Sequence, residues 1–263
     1  MPDRPIVFLG PSLAPELAVQ LLPGAIFLPP IRRGDLQPLL AEPPPAVGIV
    51  DGEFFQSLAV SPKEILPLLE RGVPVYGAAS MGALRAVELE SYGMRGVGRI
   101  FELFRSGRLI ADDEVALTFC PATLRPLSEP LVNLRLALSA AHRAGLISLA
   151  ELIGVTRRMK ALYFPERTRQ RLFAEMEQLT GPERAIAVRQ WWFTAAPDAK
   201  AEDAKLLLRG MAEHLAIATG TPIARRPPHS SEKGRRASPP TTAMGSSTVT
   251  AGPRTSSWPR TGG

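Results

Sequence analysis

The stretch "VPVYGAASMGALRAVEL", residues 73–89, decides how the chain is read. Four apolar or aromatic positions (73–76) give way to Gly77, Ala78 and Ala79, then Ser80, and the spacing that follows at once is helical. A buried strand running through a tight turn into a helix is the repeating unit of parallel α/β folds. Only small side chains flank the serine. Either the turn is too tight for anything larger, or something approaches the backbone closely there.

Read outward from this unit, the first hundred residues repeat it. "PIVFLG" (5–10), "AIFLP" (25–29) and "AVGIVDG" (46–52) are short apolar runs without alternation, and helical patterns over 14–22, 35–41 and 61–72 separate them. Ser61 and Pro62 open the last of these helices and Gly72 closes it. Strands of this kind belong to a parallel sheet covered on both faces. The predicted fold is α/β, a doubly wound, mainly parallel, Rossmann-like sheet. From about residue 100 to 220 the spacing is helical, "DDEVALTF" included, with no convincing strand, and "GMRGVG" (93–98) reads as a helix C-cap and turn. The predicted organisation is an α/β core over 1–145, a helical section packed on it over 146–220, and a disordered basic tail over 221–263.

Charge supports that division. The net charge is +6, yet residues from 221 onward hold seven of the Lys/Arg residues against one acid, leaving 24 of each sign in residues 1–220. The body is neutral, so no basic groove for nucleic acid is expected. The tail, rich in Pro, Ser, Thr and Gly, lacks the aliphatic surface needed to offset the entropy of ordering. No apolar run is long enough for a membrane span and no export signal is evident, so the protein is expected to be cytoplasmic and to bind no membrane. A single cysteine, Cys120, excludes an internal disulfide and reads as a small buried hydrophobe. The pair Trp191–Trp192 reads as packing or a partner surface.

In open parallel sheets ligands gather beyond the carboxyl ends of the strands. There the first strand offers Gly10 and Ser12, the third Asp51, Gly52 and Glu53, and the fourth Gly77, Ala79 and Ser80. Glycine, hydroxyl and carboxylate thus meet at one rim. Ser80 has two readings. It is a helix N-cap or anion contact, beside a helix N-terminus that leaves N–H donors bare. Alternatively it is a nucleophile in a variant of G-x-S-x-G, with Ala78 in place of the first glycine. A nucleophile needs a base, and His142, His214 and His229 stand in no motif. Phosphate-loop and dinucleotide signatures are absent, so no cofactor is expected. Asp112 and Asp113 sit before a helical run, about 100° apart, a poor arrangement for gripping one metal, and no metal site is expected. Asn133 and Arg135 are polar positions within an apolar helix that suit buried partners for these acids. Arg85 and Glu88 are spaced to pair.

These residues lie in longer stretches that resemble a known family. "FLGPSL", "DGEF", "KEIL", "GVPVYGAASMGALRAVEL", "YGMRGVGRIFELFRSGRLIADDEVAL" and "LSEPLVNLR", in this order over roughly residues 6–140, are similar to the core of the TfuA-like family. The family takes its name from a protein of trifolitoxin production, and its members are commonly encoded beside YcaO enzymes, which activate a peptide-bond oxygen with ATP. The resemblance implies an accessory role in backbone thioamidation of a ribosomally made peptide or protein. The implied partners are a YcaO-type enzyme, a precursor peptide and a ubiquitin-like sulfur carrier ending in a thiocarboxylate. On this reading Ser80, Asp51 and Asp113 are the candidate catalytic groups. Gly10, Ser12, Gly52, Gly77, Ala79, Arg85, Glu88, Asp112, Glu114 and Arg135 are the candidate binding residues. Two other readings stand beside it: a stand-alone hydrolase of thiocarboxylates or thioesters using Ser80, and a non-catalytic adaptor.

Overall fold

The structure, a computed structural model, describes residues 3–54 and 59–219. Five strands, β1 (Ile6–Phe8), β2 (Ile26–Leu28), β3 (Val47–Ile49), β4 (Val75–Ala78) and β5 (Arg95–Val97), form one sheet in the order β2-β1-β3-β4-β5, and every pair is parallel. The doubly wound α/β fold is therefore present. Winding goes outward from β1 to β2, then back across β1 to β3, so the topological switch point lies between β1 and β3.

Side-chain alternation divides the sheet's two faces. Ile6, Phe8, Val47, Ile49 and Val75 point to one core, where they meet α2 (Gln37–Ala41), α3 (Pro62–Glu70) and α4 (Met81–Leu89). Glu64 of α3 reaches back to accept the Ser61 N–H at 2.9 Å, and Gly72 leaves the helix with φ +76°, so both predicted ends are in place. Val7, Tyr76 and Ala78 point to the opposite core, which is covered by α1 (Pro15–Leu21) and by α10 (Ala199–Thr219) through Ala204, Leu207, Leu208 and Met211. A Cβ on Gly48 would stand 2.8 Å from the Met211 sulfur, so α10 lies directly on β3. Only one of the crossovers, through α1, falls on this face, and the last helix of the described chain fills the space beside it.

Between them, α5 (Arg99–Arg105) packs near α4, and α6 (Leu131–Arg143), α7 (Leu149–Ala161), α8 (Arg169–Thr180) and α9 (Pro182–Ala195) surround a third core. Leu134, Leu138, Val155, Met159, Leu172 and Met176 are buried in it.

The structure departs from the sequence reading in two places. Gly93 does cap a short 3-10 turn with φ +95°, but Arg95–Val97 then pair with β4 as an edge strand. Three residues with an exposed arginine carry no apolar run to announce them. "DDEVALTF" is a single 3-10 turn, Asp112–Glu114, followed by extended chain. The extension leads to an antiparallel bridge between Phe119 and Pro126, where Thr118 N–H donates to Ser128 Oγ at 2.9 Å. The expected tail, 221–263, lies outside the described residues.

Candidate functional site

Asp51 leaves the end of β3 at the switch point and is 2% exposed. Its Oδ2 accepts the N–H groups of Gly10 (2.9 Å) and Ser12 (3.0 Å), and its Oδ1 accepts the Ser12 hydroxyl at 2.6 Å. The loops after β1 and β3 are thus knitted together by one carboxylate. Gly10 is needed for a second reason, since a Cβ there would meet Pro30 at 2.4 Å.

The turn after β4 is sharper than the strand–helix pattern alone requires. Ala79 has φ +63°, and Ser80 N–H donates across it to the Ala78 carbonyl at 2.7 Å, a strained γ-turn of the positive-φ kind. Ser80 then heads α4, but its hydroxyl caps none of the helix amides. It is directed instead at the Val115 carbonyl, 3.5 Å away, and is 2% exposed.

The small residues around Ser80 answer the question raised by the sequence. A Cβ on Gly82 would lie 1.7 Å from the Ile49 carbonyl oxygen, one on Gly77 would lie 2.1 Å from the Gly82 oxygen, and one on Gly52 would touch Met81 at 2.8 Å. What comes close to the backbone is the chain itself. Helix α4 is pressed onto β3 and β4 so tightly that only glycine fits, and the rim amides are covered rather than bared to an anion.

A fourth group completes the cluster. Lys200, in the first turn of α10, is 2% exposed; its Nζ donates to the same Val115 carbonyl at 3.1 Å and stands 3.6 Å from Asp51 Oδ1. Burial pushes the Lys200 amine below the usual lysine range, with Asp51 acting in the opposite direction. Its backbone is held by Asn133, whose Oδ1 accepts the Lys200 N–H at 3.1 Å. The Asn133 Nδ2 donates to Asp198, and Asp198 in turn accepts the Ala201 N–H.

Of the remaining predicted residues, Arg85 and Glu88 form their ion pair away from the cluster, where Arg85 Nε also reaches the Val60 carbonyl at 2.8 Å. Asp112 is exposed. Arg135 grips buried Glu114 in a two-pronged pair at 2.8 Å, and Asn133 meets Asp198 and Lys200, so neither is the expected partner of Asp112 or Asp113. Asp113 pairs with the buried Arg167 at 2.5 Å. Both acids thus flank Val115 instead of facing Ser80. Sequence reasoning missed Lys200 and Val115. A signal for Lys200 existed: it lies on the stripe of Ala204, Leu207, Leu208 and Met211, and a lysine on a buried face is rare unless paired.

Pro11, Asp51, Ser80, Val115, Leu117 and Lys200 border an inner cavity of about 10 Å³, room for one water. Gly52, Phe54, Leu117 and Phe119 line it too, and they also form the floor of an open cleft of about 490 Å³ whose walls include Pro30, Arg32 and Glu53. The cluster therefore sits just behind the floor of a cleft, at the switch point where doubly wound sheets bind ligands. Ser80 and Lys200 thus address one acceptor, with no direct hydrogen bond between them, and the Asp51 carboxylate stands beside the amine. Among the described residues no group of His, Cys, Asp and Glu is arranged to hold a metal ion, and no helix is long and apolar enough to cross a membrane.

Fold and site together define a doubly wound α/β protein with a buried cluster of Asp51, Ser80 and Lys200 at its switch point. A family model described as TfuA-like protein matches residues 51–168, so the chain carries a TfuA-like domain there, which holds every motif quoted above except "FLGPSL". Asp51 and Ser80 lie inside the match; Gly10, Ser12 and Lys200 lie outside it. No curated protein matches the chain.

Proposed function

We propose that this protein acts beside a YcaO-type enzyme in backbone thioamidation of a ribosomally made peptide or protein, and that its own part is to liberate sulfur from a carrier ending in a thiocarboxylate. The TfuA-like domain supports the setting, and the convergence of Ser80 and Lys200 on one carbonyl behind an open cleft supports the chemistry. Neutral Lys200 takes the Ser80 proton while Oγ attacks the thiocarboxylate carbon. The C–S bond breaks and hydrogen sulfide leaves with the proton returned by Lys200. Water, activated by the same amine, then hydrolyses the Ser80 ester to free the carboxylate. The balance is one thiocarboxylic acid plus one water giving one carboxylic acid plus hydrogen sulfide, with no change of oxidation state.

A substrate in the open cleft would approach Ser80 from the side of Gly52, Phe54, Leu117 and Phe119, which line both the cleft and the water-sized space beside the serine. Mixing the protein with a thiocarboxylated carrier and measuring sulfide tests the reading. Wild type is expected to release sulfide, Ser80→Ala to release none above background while keeping its fold, and a YcaO-dependent thioamide mass shift on the precursor to follow the same pattern. Wild-type release no faster than the uncatalysed rate would overturn it.

A further inference from the structure

Ser80 and Lys200 come from elements more than a hundred residues apart, and what aligns them is the Val115 carbonyl oxygen, whose two lone pairs can serve both donors. No ladder or long helix holds that carbonyl. It follows one 3-10 turn closed by two backbone bonds, Glu114 N–H to Ala111 O (3.1 Å) and Val115 N–H to Asp112 O (3.3 Å). Each residue just before it, however, is tied by an arginine. Glu114, 3% exposed, is gripped by both Nε and Nη2 of Arg135 from α6. Asp113 is held twice by Arg167, its backbone oxygen at 2.9 Å and its carboxylate at 2.5 Å, while Arg167 Nε also reaches the carbonyls of Met159 and Leu162, each at 3.2 Å.

We infer that Arg135 and Arg167 are positioning residues for the Ser80–Lys200 pair: through Glu114 and Asp113 they fix the turn, and with it the carbonyl to which both hydroxyl and amine donate. The inference rests on reading that pair as the reacting groups. It gives the helical unit around α6–α8 a role in the site without a side chain of its own touching substrate. It also predicts which way the amine responds. The carbonyl's hydrogen bond favours the ammonium form, as do the facing carboxylates of Asp51, Asp198 and Glu129, and burial opposes all of them. A carbonyl that swings away removes one of the supports.

The test uses Glu114→Gln, which keeps shape, Arg135→Lys, which keeps charge but loses the planar fork, and Asp113→Asn, which removes the charge paired with Arg167 but keeps an oxygen able to accept from it. Full-length protein with labelled lysine side chains is titrated by NMR, and sulfide release from a thiocarboxylated carrier is followed across pH. All three variants are expected to lose about tenfold to a hundredfold in kcat, since small misplacements of reacting groups have that effect. KM should stay within about twofold. The Lys200 signal and the acid limb of the pH profile should both move to lower pH, a change that general destabilisation would not produce. Folded Asp113→Asn protein with wild-type kcat and wild-type Lys200 titration overturns the inference, whatever the other two variants do. If the Lys200 titration moves but wild type releases no sulfide, the positioning stands and the hydrolytic reading falls.

Discussion

Replacing Lys200 with methionine and replacing Asp51 with asparagine should have opposite balances of stability and activity, although both remove one partner of the same buried pair. In Lys200→Met the lost contacts are one bond to the Val115 carbonyl, worth about 1.5–3 kcal/mol for a charged donor, and an ion pair with Asp51 at 3.6 Å, beyond hydrogen-bond length. Against these stands relief from burying an ammonium, several kcal/mol in effective terms, and methionine fills nearly the same volume. Asp51 keeps its three bonds from Gly10 and Ser12. The net change is expected within about 1–2 kcal/mol. Asp51→Asn leaves the buried Lys200 without its countercharge and withdraws acceptor capacity from two loop amides and a hydroxyl, which should cost about 3–5 kcal/mol. Urea unfolding of wild type and both variants at pH 7 reads these values directly. Sulfide release supplies the second axis, on which Lys200→Met should fall by about 10²–10⁴-fold, the usual worth of a general base. A Lys200→Met protein as unstable as Asp51→Asn would refute the reasoning, because the amine would then be a structural keystone.

Two further outcomes follow from local geometry. Gly82→Ala places a methyl 1.7 Å from the Ile49 carbonyl, with backbone on both sides, so α4 must lift off the sheet, and destabilisation of about 3 kcal/mol or more is expected in thermal or urea unfolding. Asp203 of α10 accepts the Arg99 and Ile100 N–H groups at 2.8 and 2.7 Å, and burial, outweighing those bonds, raises its pKa to about 6 from 3.8. The folded state therefore holds this proton more tightly than the unfolded chain, so its contribution is complete below about pH 4 and is lost as pH rises through 6. The difference amounts to about 3 kcal/mol. It should appear as a stability slope between pH 4 and 7 that Asp203→Asn lacks, and equal slopes in the two proteins would exclude it.

The parts of the fold that the sequence discloses are those whose physics is local. Buried strands such as "AVGIV" are apolar throughout, Ser61 and Gly72 mark a helix by its ends, and "VPVYGAASMG" demands a tight strand-to-helix turn. β5 escapes because an edge strand of three residues has no burial pattern. The 3-10 turn at Asp112–Glu114 escapes because its acids are held by arginines on distant elements, and nothing in "ADDEVAL" separates that from a helix start. Gly10, Asp51 and Ser80 were legible as one rim from the topology rule alone. Their surroundings were not: the same glycines that suggest exposed amides turn out to be where α4 and Pro30 press against the backbone.

Lys200 was the hardest residue to foresee, and the reason lies in how the sheet is finished. With only α1 crossing on one face, β3 and β4 would stand bare there, and α10 covers them through Leu207, Leu208 and Met211. The helix begins beside Asp51 at the carboxyl end of β3, and Ala212 and Leu215 farther along it share a pocket with Pro5 ahead of β1. It therefore runs antiparallel to the strands and brings its first turn to the rim. Burial there lowers the pKa of the Lys200 amine, against the opposing pull of the Asp51 and Asp198 carboxylates. The helix that seals the core on this face thus also supplies the rim with Lys200, the amine that the proposed reaction uses as the base for Ser80.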